Sequence, residues 1–290
     1  MPHVTLKKIL ADAQQNRYGI PCLAAANMEM LIGIIRAAEQ KEAPVIICYN
    51  KQLTPDIPLE MMMPVMVRQA EKSTVPIATI LDHGSDFDLI VKTLHYGASS
   101  VMFDGSNLPF EQNIARTKEI VKIAHSLGAS VEAELGGVGG DVMEATSTSA
   151  TESFFTDPRQ AVQFVKETDV DCLAISFGNV HGKYSGDANL DLQLVKRMSY
   201  LVSVPLGMHG ASGLDFGQYS HIIEAGISKV NYFSALCMPF HQELGEFIEK
   251  VGEQAFCVKT IEMTINYWHQ KSMELFDILG CAWKTKNFLL

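Results

Sequence analysis

The sequence predicts an α/β chain folded as a (β/α)8 TIM barrel with extra C-terminal helices. Eight short, nearly continuous apolar runs recur along the chain, and each is followed by a stretch with helical hydrophobic spacing. The length, 290 residues, matches one barrel of about 250 residues with added helices. An open doubly wound sheet would use the same alternation, but eight successive units at this spacing favour closure.

The runs cover 20–26, 44–48, 76–82, 99–104, 130–134, 172–176, 205–209 and 229–232. They lack the polar–apolar alternation of half-exposed strands, so both faces are expected to be buried. Between them, 28–42 lines up Met30, Leu31, Ile34, Ile35 and Ala38 on one stripe, and 110–127 does the same with Ile114, Ile120, Val121 and Ala124. Asp157 followed by Pro158 reads as an N-cap with proline at the first helical position. Gly97, Gly128 and Gly226 fall where helices end and strands follow. No linker, charge block or low-complexity segment divides residues 1–290, so one domain is expected. The connection 136–156, rich in Gly, Ser and Thr, is too long for an ordinary turn and reads as an active-site lid. Residues from about 236 to 290 are expected to add outer helices or an oligomer contact.

Composition narrows the class. A hydrophobic fraction of 47% with 19% charged residues fits a large buried core, and a net charge of −10 without any basic block argues against nucleic acid and anionic membranes as partners. No apolar run approaches the roughly 20 residues of a bilayer span, and the N-terminus lacks a signal-peptide design. The six cysteines are scattered without a CxxC pair, which speaks against a disulfide framework and for a cytoplasmic protein.

Barrel active sites lie at the C-terminal ends of the strands. Those ends carry Asp82 and His83, Asp104, Glu134, His181, His209 and Asn231. Three neutral imidazoles with an open coordination position suit a catalytic zinc ion, so His83, His181 and His209 are the candidate metal ligands. The remaining histidines lie on helices or near the N-terminus and read as surface or packing residues. Gly182 and the turn Gly210-Ala211-Ser212-Gly213 can present backbone N–H groups to a phosphate.

Five motifs carry a resemblance: Leu-Asp-His-Gly at 81–84, Asp-Gly-Ser-Asn-Leu-Pro-Phe-Glu-Gln-Asn-Ile at 104–114, Val-Glu-Ala-Glu-Leu-Gly at 131–136, His-Gly-Lys-Tyr at 181–184 and His-Gly-Ala-Ser-Gly at 209–213. In this order the chain resembles the class II ketose-bisphosphate aldolases, in their shorter fructose/tagatose-bisphosphate branch, over about residues 10–250. The resemblance implies that His83, His181 and His209 bind Zn2+, with a monovalent cation such as Na+ or K+ as an optional second ion. It implies Asp82 as the general acid/base, and Asp104 and Glu134 as carboxylates that orient ligands or bind metal at an alternative position. Gly182, Gly210 and Ser212, with the Ser234 hydroxyl, would cradle a phosphate, and Asn231 would contact substrate. The implied substrate is a phosphorylated sugar, cleaved through a zinc-stabilised enediolate, and the implied assembly is a homodimer or homotetramer. The alternative aldolase chemistry needs a Schiff-base lysine. Lys229 is expected at the start of the eighth strand and Lys183 in a loop, so neither stands at a strand end.

The departures from that family bear on substrate. Leu23-Ala24-Ala25 replaces Phe-Asn-Val, although Asn27 remains. Ser185 stands where a lysine is usual, with Lys183 earlier, and Phe233 replaces an aspartate in Asn231-Tyr232-Phe233-Ser234. The lid reads Gly139-Gly140-Asp141-Val142-Met143-Glu144, which leaves its acid/base carboxylate missing or shifted to Asp141 or Glu144. Fructose 1,6-bisphosphate is therefore expected to be a poor substrate. The rival reading is a non-catalytic barrel that binds a sugar phosphate or supports a partner subunit.

Overall fold

The computed structural model describes residues 2–139, 147–148, 155–184, 188–254 and 256–288. Its eight main strands are β1 (Ile20–Ala24), β2 (Val45–Tyr49), β3 (Ile77–Gly84), β4 (Ser100–Phe103), β5 (Ser130–Leu135), β6 (Cys172–Ile175), β7 (Leu206–Met208) and β8 (Ile227–Asn231). They run parallel in chain order and close as a barrel, with β1 pairing β8 through Cys22 opposite Asn231. The strands are short and buried throughout except at Asn231 and His83, where polar side chains reach the mouth. The predicted run at 20–26 overshoots: β1 ends at Ala24, and Ala25 and Ala26 already lead into the next helix.

The helices are α1 (Leu6–Asn16), α2 (Met28–Gln40), α3 (Leu59–Lys72), α4 (Phe87–His95), α5 (Phe110–Ser126), α6 (Pro158–Thr168), α7 (Leu192–Leu201), α8 (Phe216–Ala225), α9 (Ser234–Val251) and α10 (Cys257–Ile278). Their ends follow local chemistry. The Asp157 side chain accepts from the N–H groups of Arg159 and Gln160 at the start of α6. Gly97, Gly128 and Gly226 take positive φ just past α4, α5 and α8, as expected of residues that turn a helix into the next strand.

Two elements outside the strand–helix repeat shape the barrel. The periodicity reading assigned nothing to 6–16, yet α1 caps the strand starts, where its first N–H groups donate to Ser100 and Ser130 hydroxyls at 2.9 and 3.1 Å. At the other end of the chain, α10 lies along α2. Gly33 lets the backbones meet there: a Cβ at that position would stand 2.7 Å from the Ile265 carbonyl oxygen and 2.8 Å from Trp268 Cβ.

No helix among the described residues is long and apolar enough to cross a membrane. All six cysteines are free. Of the expected lid, Asp141 and Glu144 lie outside the described residues, as does Ser185. The backbone at Ser147–Thr148 pairs in parallel with Lys183–Tyr184, which joins the segment after β5 to the loop after β6.

Candidate active site

The mouth of the barrel begins with an irregularity in β3. Leu81 pairs with Val101, but the next partner, Phe103, faces Gly84, so Asp82 and His83 together oppose a single residue of β4. His83 takes a φ of 50°, in the left-handed region that non-glycine residues rarely occupy. Neighbouring strand residues ordinarily point to opposite faces. The bulge removes that alternation and turns both side chains into the mouth.

His83 then meets partners from other strands. Its Nδ1 lies 2.8 Å from Asp104 Oδ2, and its Nε2 lies 2.9 Å from His209 Nδ1. Asp104 is itself pinned by the backbone N–H and hydroxyl of Ser106, at 3.1 and 2.6 Å. On the far side, His209 Nε2 lies 3.3 Å from Glu132 Oε1. An ionised carboxylate only accepts, so each histidine donates from the nitrogen facing its carboxylate. The two remaining nitrogens, His83 Nε2 and His209 Nδ1, then face each other across a position that a proton or a metal ion can occupy. The third ring, His181, completes the group: one nitrogen from each of the three lies within 4.8 Å of the others, and His181 Nε2 is buried without a hydrogen-bond partner. Asn179 holds this corner by donating to the His209 carbonyl oxygen at 3.0 Å while accepting from Phe177 N–H.

The electrostatics agree with a cation site. Burial opposes charge on His83, but Asp82, the Asp104 hydrogen bond and Glu134 outweigh it and raise the ring to about 10. Burial and the neighbouring His83 charge lower His181 to about 4, and the same causes push His209 well below the ordinary imidazole range. One positive charge is thus strongly favoured where the rings meet, and a second is refused. Glu134, buried beside Asp104, is pushed up to about 8, and its Oε2 has no hydrogen-bond partner. His83, Asp104 and Glu134 form a second group with one atom from each within 4.8 Å of the others. An orphaned imidazole nitrogen, two further imidazole nitrogens that face each other and carboxylates behind them form a donor set that fits Zn2+.

Asp82 is buried between two amides. Asn50 Nδ2 donates to its Oδ2 at 3.2 Å, and Asn231 Nδ2 donates to its Oδ1 at 3.0 Å. Burial alone would raise this carboxyl, but the positive charges of His83 and Lys229 hold it below its ordinary value, so it remains ionised.

A pocket opens at this mouth. It is lined by Asp82, the three histidines and Asn231, by Gly182, Gly210, Ser212 and Ser234, and by Asn50, Cys22, Cys48, Leu53 and Phe233. The residues expected at the site therefore come together, with Asp104 and Glu134 standing beside His83. Gly210, at φ 68°, packs so tightly on the Val180 carbonyl that a side chain there has no room. The Ser212 hydroxyl oxygen accepts from Phe233 N–H at 3.0 Å, which leaves its O–H free to donate elsewhere. Phe233 stacks on Trp268, with centroids 6.2 Å apart and planes at 28°.

One expectation is corrected. Lys229 is not at the start of the eighth strand but in the middle of β8, where its side chain is fully buried inside the barrel and ion-paired with Glu132 at 2.8 Å. Sequence reasoning also passed over Glu132 and Asn50. Glu132 precedes Glu134 by two positions on one strand, so both share the inward face, a signal the strand period contains. Asn50 follows β2 directly and lay just past the end assigned to that run.

The comparisons agree with this geometry. The family model for class-II fructose-bisphosphate aldolase matches residues 4–282. An Escherichia coli K12 protein described as uncharacterized, YdjI, is 40% identical over 226 residues, which is 78% of this chain and 81% of that protein. The crystal structure of the YdjI aldolase from the same organism superposes with a TM-score of 0.86 at 34% identity, covering 98% of this chain and 99% of that one. A putative fructose-1,6-biphosphate aldolase from Coccidioides immitis gives 0.83 at 27% identity, covering 97% and 98%. Fructose-bisphosphate aldolase from Campylobacter jejuni, at 18% identity over 97% and 96%, shares the fold with a TM-score of 0.81. The chain belongs to the class-II fructose-bisphosphate aldolase family.

Proposed function

We propose that this protein is a Zn2+-dependent aldolase that cleaves or forms a C–C bond of a phosphorylated ketose or related phosphorylated sugar, with a substrate preference other than fructose 1,6-bisphosphate. The observation that carries the metal assignment is the facing pair of ring nitrogens, His83 Nε2 and His209 Nδ1, 2.9 Å apart, beside the unpartnered Nε2 of His181. These three histidines would hold the ion. When bound, Zn2+ supplies a Lewis acid for the negative charge that develops on the ketose-derived fragment as the bond breaks.

The chain's own residues supply the rest. Asp82, ionised and held by Asn50 and Asn231, takes the proton of the aldol hydroxyl in the cleavage direction and returns it in the forward one. Asp104 and Glu132 fix the ring orientations of His83 and His209. Gly182, Gly210 and Ser212 offer backbone and hydroxyl donors to a phosphate, with Ser234 at the start of α9 beside them. Phe233 makes this rim apolar where an aspartate is usual, which supports a sugar of different length or end group. Exposed Phe256, Val258 and Ile261 near the start of α10 support the homo-oligomer, a homodimer or homotetramer, within the same proposal.

The test is metal analysis of the purified protein, followed by aldol cleavage across ketose monophosphates, ketose bisphosphates and phosphorylated sugar acids. One Zn2+ per chain and cleavage of at least one of these is expected. A metal-replete protein that cleaves none of them overturns the catalytic reading and leaves a sugar-phosphate-binding barrel.

A further inference from the structure

Lys229 sits inside the barrel between the two halves of the site, reaching one through Glu132 and the other through Asn231. Its Nζ lies 2.8 and 3.0 Å from the two carboxylate oxygens of Glu132, and 2.5 Å from Asn231 Oδ1. Glu132 Oε1 continues to His209 Nε2 at 3.3 Å, and Asn231 Nδ2 continues to Asp82 Oδ1 at 3.0 Å. All of Lys229 and Glu132 is buried.

The chemistry of an ammonium makes this arrangement directional. It has three donors and no acceptor, so it can donate only to the oxygen end of the Asn231 amide. The amide NH2 is thereby turned toward Asp82. The opposite orientation would set NH2 against NH3+ and the amide oxygen against the Asp82 carboxylate. On its other side the ammonium balances the buried Glu132 charge, which on its own would be very costly inside the barrel. An ionised Glu132 then obliges His209 to carry its proton on Nε2 and leaves the Nδ1 lone pair facing His83.

We propose that Lys229 is a positioning residue that sets both the Asn231–Asp82 hydrogen bond and the His209 tautomer, so that one buried charge orients the acid/base group and a metal ligand together. The Asp82 half rests on the aldolase reading above; the His209 half does not.

Lys229→Met leaves Glu132 buried without its counter-charge, so the decisive variant is the double K229M/E132Q, which removes both charges at nearly constant volume. Folding is followed by circular dichroism and melting, and Zn2+ affinity by competition with a chromophoric chelator. On the best substrate, kcat and KM are measured separately across pH. Zn2+ affinity is expected to fall about 10- to 100-fold, as for loss of the groups that orient a metal ligand. The value of kcat is expected to fall by about 100-fold with KM changed far less, as for a misplaced catalytic group, and its acidic limb is expected to shift. A double variant that keeps either Zn2+ affinity or kcat within about twofold of wild type overturns the proposal. Nitrogen-15 NMR of histidine-labelled wild-type protein is independent of any variant's folding: the proton is expected on His209 Nε2, and a proton on Nδ1 with Nε2 bare overturns the proposal. If wild type cleaves no ketose phosphate, the aldolase reading fails, while affinity and tautomer still decide the role of Lys229.

Discussion

His83 Nε2 and His209 Nδ1 stand 2.9 Å apart, each with its other nitrogen tied to a carboxylate, Asp104 at 2.8 Å and Glu132 at 3.3 Å. Both rings are oriented from behind, so the two facing nitrogens are aimed forward at a shared point. Removing one supporting carboxylate should therefore weaken metal binding without removing a ligand from the three-histidine set. For Asp104→Ala we expect Zn2+ affinity to fall about 10- to 100-fold, measured by chelator competition. Chelation of the wild-type protein should abolish activity, with Zn2+ or Co2+ restoring it, and full activity in a verified metal-free sample would sink the assignment. Borohydride added during turnover should trap no adduct on Lys229, whose ammonium is buried and paired with Glu132.

Asp82→Asn keeps the size of the side chain but removes the carboxylate that takes the proton. Turnover is expected to drop by about 10²- to 10⁴-fold, the range for loss of general acid–base catalysis, with metal content nearly unchanged. An Asp82→Asn enzyme that turns over like wild type would move the acid/base role to another group, and Asp141 and Glu144 would be the next to test.

For the substrate, the rim residue Phe233 decides the expectation. Its ring is stacked on Trp268, so it is part of the packing and will not swing aside to admit a charged sugar end without loss of that contact. Losing a charged hydrogen-bond partner typically costs about 1.5–3 kcal/mol in binding. Measured side by side, kcat/KM for fructose 1,6-bisphosphate and tagatose 1,6-bisphosphate should lie below about 10⁴ M−1 s−1, the low end for well-matched enzymes. A value above that shows that the departures are tolerated.

A stability test addresses the packing of α10 on α2. Gly33→Val would place carbon atoms against the Ile265 carbonyl oxygen and Trp268 Cβ, at positions where even a Cβ stands 2.7 and 2.8 Å away. The helices must separate, at a cost of about 1–3 kcal/mol. Urea unfolding should show a lower midpoint than wild type, whereas an unchanged midpoint would mean that the two helices do not need this approach.

Much of this protein was determined by its sequence alone. Buried parallel strands must be apolar on both faces, so the eight runs announce themselves without any knowledge of their partners. Helix ends are local events, and Asp157 with Pro158, or a glycine such as Gly226, marks them from a few residues of context. The candidate ligands His83, His181 and His209 were legible for the same reason: the chemistry of a barrel gathers at the strand ends, and the strand ends could be read.

Only the tertiary structure decided which side chains meet. Asp82 and His83 are adjacent, and strand alternation would send them to opposite faces; a bulge against β4 and a positive φ at His83 bring them to one mouth. Lys229 and Glu132 are separated by 97 positions, and Asn231 and Asp82 by 149, so their pairing exists only once closure of the barrel has set the register between strands. Local preference cannot place a buried charge, because its position depends on the one counter-charge that makes burial tolerable, and that partner arrives from a distant part of the chain.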